Sequence, residues 1–318
     1  MTATTPAEQT AGATRPAAST APAWLPLAAV GVTLLLWASA FVAIRHLAGA
    51  FSPGSLSLGR LLVGWLCLGV VALGQGLPRP TRRQWLSILI IGVLWFGIYN
   101  VALNAGEHHV DAGTAVMLIQ VSPVLVALLA AMFLHERFTL YLALGLALAF
   151  GGVALIATSS SGSNGDRSVL GVLLCLLSAV VYSVSLVLQK PLVAKLPALQ
   201  VTWLACTVGA VVCLPFAGQL VDDTRSASAS DVWWVVYLGV FPTAIAFTTF
   251  AYALRTMSAS SLGVTTYLVP PITIVMGWLL LDETPPGIAY VGGVLALVGV
   301  AVARRKPRTL ADETPAPA

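Results

Sequence analysis

Arg60 is the first residue to need explaining, because it is the one charge lying well inside a long apolar run, SLSLGRLLVGW. A guanidinium in the middle of a membrane helix costs about 2.5–3.5 kcal/mol on insertion scales, so it is kept there for a task. Two tasks are open to it. Facing a polar cavity, its planar fork would hold a carboxylate or phosphate through two parallel hydrogen bonds. Lying about five residues from the outer end of its segment, its stem would instead snorkel to the headgroups.

Uncharged polar residues stand at similar depth. Asn100 and Asn104 are four residues apart and share a helical face, with Tyr99 adjacent. They would either contact a substrate or bond a neighbouring helix, a bond worth about 0.6 kcal/mol. Gln120 lies three residues before Pro123, so its amide would meet either the carbonyl freed by that proline or a substrate. Trp37, Tyr182 and Tyr267 sit nearer mid-depth than an interfacial belt would, as cavity walls or as packing. The candidate binding set is therefore Arg60, Trp37, Tyr99, Asn100, Asn104, Gln120, Tyr182 and Tyr267. Pro123 and the pair Pro270 and Pro271 are expected helix breaks, each leaving a polar spot of unpaired backbone.

Other chemistry is thin. Glu136 and Glu283 end their segments, where a carboxylate opposes the helix dipole and calls for a basic partner such as Arg137, so they read as gate or structural acids. His108 and His109, beside Glu107 and Asp111, could sense pH or bind metal, but adjacent histidines on a short loop are usually just solvated. Cys67, Cys175, Cys206 and Cys213 all fall in apolar stretches without a CxxC, and read as buried free thiols. No HExxH, GxSxG or paired intramembrane Asp occurs, which argues against an enzyme; no metal site or cofactor is expected.

The elements that position these side chains follow from composition. Of 318 residues, 58% are hydrophobic and 9% charged, with mean hydropathy +0.91, too few polar groups to cover a water-soluble globule. Apolar runs of spanning length fall at about 26–46, 55–75, 84–104, 112–134, 139–158, 169–189, 198–217, 232–254, 259–281 and 286–303. The expected fold is an all-α membrane protein of ten transmembrane helices, with a disordered tail over 1–23 and a second tail over 304–318. Twelve of the sixteen Lys and Arg residues gather on one face, which the positive-inside rule makes cytoplasmic together with both termini. That topology accounts for the net charge of +4 without nucleic acid. Eight of the twelve acids, Glu107 among them, fall outside or at the outer rim, and none falls near the centre of a span.

The halves repeat. LHERFT (134–139) and LDETPP (281–286) put Glu136 and Glu283 147 residues apart, and the same offset carries Pro123 onto Pro270 and Gly152 onto Gly299. Trp37 falls on Tyr182 and Arg45 on Lys190 at a nearby offset, whereas Arg60 falls on Leu204. Five helices per copy is odd, so the second copy enters from the opposite side: two inverted five-helix repeats, 24–158 and 169–303.

WASAFVAIRHL (37–47), Ser52-Pro53, Arg60 and the paired P…LHER and PP…LDET endings resemble the two EamA repeats of the drug/metabolite transporter superfamily. The resemblance implies helices one to four and six to nine around a central cavity, with the fifth and tenth behind. It implies movement of small metabolites, often efflux of amino acids or toxic compounds, by proton coupling or by exchange. A departure is that no acid stands at mid-membrane to carry a proton. The expected function is alternating-access transport of a small metabolite across the cytoplasmic membrane, with the bilayer and a substrate as partners; the glycines of helices five and ten (Gly145, Gly151, Gly152, Gly292, Gly293 and Gly299) allow close helix contact and offer a surface for a homodimer. The alternative is a multi-pass receptor or scaffold, against which the short loops argue.

Overall fold

The computed structural model describes residues 24–74, 76, 79–133, 140–159, 165–257, 262 and 265–303, and among these the regular structure is entirely helical. The first half comprises α1 (Trp24–Leu47), α2 (Pro53–Gly74) and α3 (Arg82–Glu107), in which a π-helical stretch, Gly92–Ile98, joins two α-helical pieces. After these, α4 comes in two pieces, Ala112–Ile119 and Ser122–Phe133, and α5 spans Leu140–Ser159. The second half has α6 (Gly165–Val193), α7 (Ala198–Ser226) and α8 (Ala229–Thr256), the last with its own π-helical stretch, Gly239–Ile245. A 3₁₀ turn, Thr266–Leu268, opens α9 and runs into Val269–Leu281, and α10 is Gly287–Ala303.

Six of these helices are long and apolar enough to cross a membrane: α1, α2, α3, Val169–Val193 of α6, α7 and α8. The apolar parts of α4, α5, α9 and α10 are shorter. The expected breaks fall where the prolines stand. In α4 the first piece ends at Ile119 with Gln120 as its cap, and Pro123 is the second residue of the next piece; in α9 Pro270 holds the same place after Val269. A proline at a helix start lacks only an N–H that had no partner anyway, so it begins the second piece cleanly.

Boundaries differ from expectation mainly around α7. It continues to Ser226 instead of stopping near residue 217, because Pro215 tightens one turn to 3₁₀ (Leu214–Phe216) without ending the helix. Asp223 on this extension accepts hydrogen bonds from the Ser52 N–H and the Ser55 hydroxyl, tying α7 to the start of α2. The turn into α8 is then set by a reciprocal cap between Ser228 and Asp231.

Small residues decide the closest approaches. A Cβ on Gly152 would strike the Gly292 carbonyl and Ala296, and one on Gly299 the Gly145 carbonyl and Ala149, so α5 and α10 pack antiparallel, backbone on backbone. These glycines, offered above as a subunit surface, are used within the chain; Gly293 packs on Met117. The four cysteines are free, with Cys175, Cys206 and Cys213 buried and Cys67 partly so.

Candidate functional site

Where α1, α2, α3, α4, α6, α8 and α9 converge they leave a cavity of about 50 Å³, room for a few water molecules. Neither α5 nor α10 lines it, and among the described residues α7, expected in the ring, lines none of it either. Its wall is aromatic: Trp37, Trp95, Tyr99, Tyr182 and Phe247. Trp95 meets Tyr182 with ring centroids 5.1 Å apart and planes at 81°, and meets Phe247 at 5.1 Å and 60°, edge-to-face contacts that fix the rings. Trp37 and Tyr182, matching positions of the two halves, meet at 6.4 Å.

Four polar residues break this wall: Arg60, Gln120, Ser122 and Thr266. Arg60 is 4% exposed, so it is inside the bundle and does not snorkel. Its Nε donates to the Thr243 hydroxyl at 3.2 Å, its only hydrogen bond among the described residues, and no carboxylate there forms an ion pair with it. Thr243 in turn donates to the Leu238 carbonyl, 2.8 Å away, whose usual partner four residues on would be Pro242, which has no N–H to give. The two helices come close enough for this because Gly64 faces Thr243 and Gly239 faces Val63, each without room for a Cβ.

Gln120 reaches neither the carbonyl freed by Pro123 nor solvent. Its amide donates to the Thr266 carbonyl at 2.8 Å, joining the broken turn of α4 to that of α9. The pieces beyond both breaks start with residues that line the cavity, Ser122 and Val269. Two helix N-termini thus bring their positive ends to the same space as Arg60.

Three expected binding residues are elsewhere. Asn100 donates to the Trp95 and Phe96 carbonyls at 3.1 and 2.9 Å, so the π-helical stretch of α3 uses up its amide. Asn104 donates to the Ser57 hydroxyl at 2.8 Å and the Pro53 carbonyl at 3.3 Å, holding α3 to α2. Tyr267, one residue past Thr266, is not in the lining. Conversely, Trp95, Phe247, Thr243 and Thr266 were missed. A signal existed for one of them, since Trp95 is four residues before Tyr99, the spacing of one helical face.

Charged side chains meet at one end of the bundle. The Arg45 Nε donates to both Glu283 oxygens at 3.1 and 3.0 Å, and its Nη1 to the Glu107 carbonyl at 2.9 Å. Asp282, at φ 54° in the left-handed region, ends α9 and turns Glu283 towards Arg45. Glu283 therefore has a basic partner, though from α1; Glu136 and Arg137 lie outside the described residues. Glu107 is not at a solvated rim: as the last residue of α3 it is fully buried. His108 beside it is half-buried, and burial, His109 and Arg45 together hold its imidazole below the ordinary histidine range.

The model of the EamA-like transporter family matches this chain twice, over residues 24–158 and 169–305. A probable terminal-alkyne amino-acid exporter of Streptantibioticus cattleyicolor is 38% identical, over 86% of this chain and 92% of its own. An uncharacterized transporter of Bacillus subtilis, YdfC, is 32% identical over 83% and 86%. A solved crystal structure, 22% identical, shares the fold with a TM-score of 0.61 over 89% of this chain and 97% of that one.

Proposed function

The chain belongs to the EamA-like transporter family and is a multi-pass membrane transporter of small molecules; on that premise we propose that it carries a zwitterionic or anionic metabolite, an amino acid first of all, out across the cytoplasmic membrane by alternating access. The observation that carries the substrate class is Arg60, buried in the cavity wall with, among the described residues, one hydroxyl as its partner and no acid paired with it. A carboxylate entering the cavity would supply the missing countercharge, and the N-termini at Ser122 and Val269 would add to its attraction. The aromatic wall suits the apolar remainder of such a molecule. Similarity to an amino-acid exporter supports the same substrate class and the outward direction.

In this reading the ten helical stretches cross the membrane as two inverted five-helix repeats, 24–158 and 169–303, with the tails at 1–23 and 304–318 and both termini in the cytoplasm. The Arg45–Glu283 bridge then closes the outer end, and the two broken helices α4 and α9 are the elements that move. The test is efflux of labelled amino acids from vesicles holding purified protein. Arg60→Ala should cut the rate at least about tenfold, the equivalent of 1.4 kcal/mol. Arg60→Lys, which keeps charge but loses the fork, should also transport poorly while folding normally. Wild-type efflux by Arg60→Ala would remove the carboxylate-binding reading.

A further inference from the structure

Glu107 is 0% exposed, and neither carboxyl oxygen has a hydrogen-bond partner among the described residues. Such a group is not a helix-end ornament: an ionised carboxylate buried without donors is among the most costly arrangements a protein can hold, whereas the neutral acid is far cheaper to bury. The surroundings explain why it is nevertheless not isolated. Arg45 of α1 touches its backbone carbonyl through Nη1 but spends Nε on Glu283, in the turn between α9 and α10. Arg60 of α2 and Tyr99 of α3, both in the cavity lining, are near enough to act on it through charge, and Cys175 of α6 packs on the neighbouring Gly106. Asp111 caps α4 through the Thr114 N–H and hydroxyl, and adds negative charge nearby. Next along the chain, His108 has its Nε2 buried and unpartnered.

We propose that Glu107 is a proton-binding site of this transporter, holding a proton while Arg45 is bound to Glu283 and offering Arg45 a second carboxylate once that proton has left. Glu107 is a buried acid whose own backbone carbonyl is held by a cation that already bridges to a second, one-third-exposed acid. On release the O–H electron pair stays on the Glu107 carboxylate and the proton passes to water at this end of the bundle. The new anion then competes with Glu283 for the one guanidinium, so loss of the proton loosens the bridge that shuts this end. A group that binds protons in one conformation and releases them in another is what coupling to a proton gradient requires, and the site supplies it at the bundle's end instead of mid-membrane.

The proposal builds on the transport reading, yet its test needs no substrate. Infrared spectra of the purified full-length chain at neutral pH should show the C=O stretch of a protonated buried carboxyl, lost in Glu107→Gln and kept in Glu283→Gln. Thermal unfolding provides the second measurement. Gln has the shape of a protonated Glu, so Glu107→Gln should melt within a degree or two of wild type, about the shift left by a change under 0.5 kcal/mol. The same infrared spectrum in wild type and Glu107→Gln, or a marked fall in melting temperature for Glu107→Gln, would overturn the site by showing an ionised, paired Glu107. Failure of the vesicles to transport amino acids would count against the proposed function and leave this result standing.

Discussion

The ends of α3 and α8 are equivalent positions of the repeat, and each is capped by a cation from the first helix of its own half. Arg45 donates to the Glu107 carbonyl at 2.9 Å, and Lys190 to the Leu254 and Met257 carbonyls at 2.6 and 3.0 Å. They lie at opposite ends of the bundle. α1 and α8 run antiparallel, with Thr33 bonded to Thr249 and His46 beside Asp231, so Arg45 is near the start of α8 and Lys190 near its finish. The cap itself is a scaffold role, satisfying carbonyls that a helix end leaves over. The chemistry differs. Where the first half has Glu107 the second has Leu254, and the guanidinium can cap and bridge to Glu283 at once, while the ammonium spends its described bonds on two carbonyls. Duplication supplied a frame twice, and the ionisable chemistry was placed on one copy.

The π-helical stretches teach the same lesson. Gly92–Ile98 and Gly239–Ile245 are 147 residues apart, and their first glycines sit alike against a neighbouring helix. A Cβ on Gly92 would meet Val208 and the Ala205 carbonyl; on Gly239 it would meet Val63 and the Arg60 carbonyl. The freed carbonyls are satisfied differently: the Asn100 amide serves two in α3, the Thr243 hydroxyl one in α8. Only Thr243 passes the arrangement on to the cavity, by accepting from Arg60.

If the equivalence is real, the largest effects should come from its glycines. Gly92→Val and Gly239→Val should each destabilise by about 1–3 kcal/mol through overpacking, read as a lowered melting temperature in detergent. A loss at one site with none at the other would break the comparison. Next, Asn100→Leu should cost about 1 kcal/mol and Thr243→Val less, since each interhelical or backbone-directed bond in a membrane protein is worth about 0.6 kcal/mol. Thr243→Val should in addition slow amino-acid efflux by releasing Arg60, whereas Asn100→Leu should leave efflux near wild type per folded molecule; the opposite pattern would put Asn100 in the site after all. Smallest is the Arg45–Glu283 bridge. Both side chains are about one-third exposed (28% and 33%), so a double-mutant cycle with Arg45→Gln and Glu283→Gln should give about 0.2–1 kcal/mol of coupling, weakened by salt. A coupling of several kcal/mol would mean the pair is shielded as no exposed bridge is.

Much of the frame was legible in the residues. The apolar runs, the offset of 147 and the prolines at 123 and 270 placed the helices, their duplication and both breaks, because lipid demands long apolar helices and proline cannot sit inside an unbroken hydrogen-bond ladder. Arg60 stood out for a similar reason, being a charge where charge is expensive. The site itself was legible only in part: Trp37, Tyr99, Tyr182, Gln120 and Arg60 line the cavity, whereas Asn100, Asn104 and Tyr267 do not.

What the amino-acid sequence determined by itself, then, was which stretches are helices, that they come in two copies, and which polar side chains must find partners within them. Tertiary structure alone decided the partners. In a soluble helix the polar face marks the outside, but a membrane helix is apolar on the side facing lipid and on the side facing its neighbours, so periodicity does not say which face is turned inward. Asn100 could therefore look like a ligand while serving the Trp95 and Phe96 carbonyls. Glu107, beside two histidines and an aspartate in the chain, could look solvated, and only the packing of α3 against α2, α6 and the end of α1 closed water off from its carboxyl.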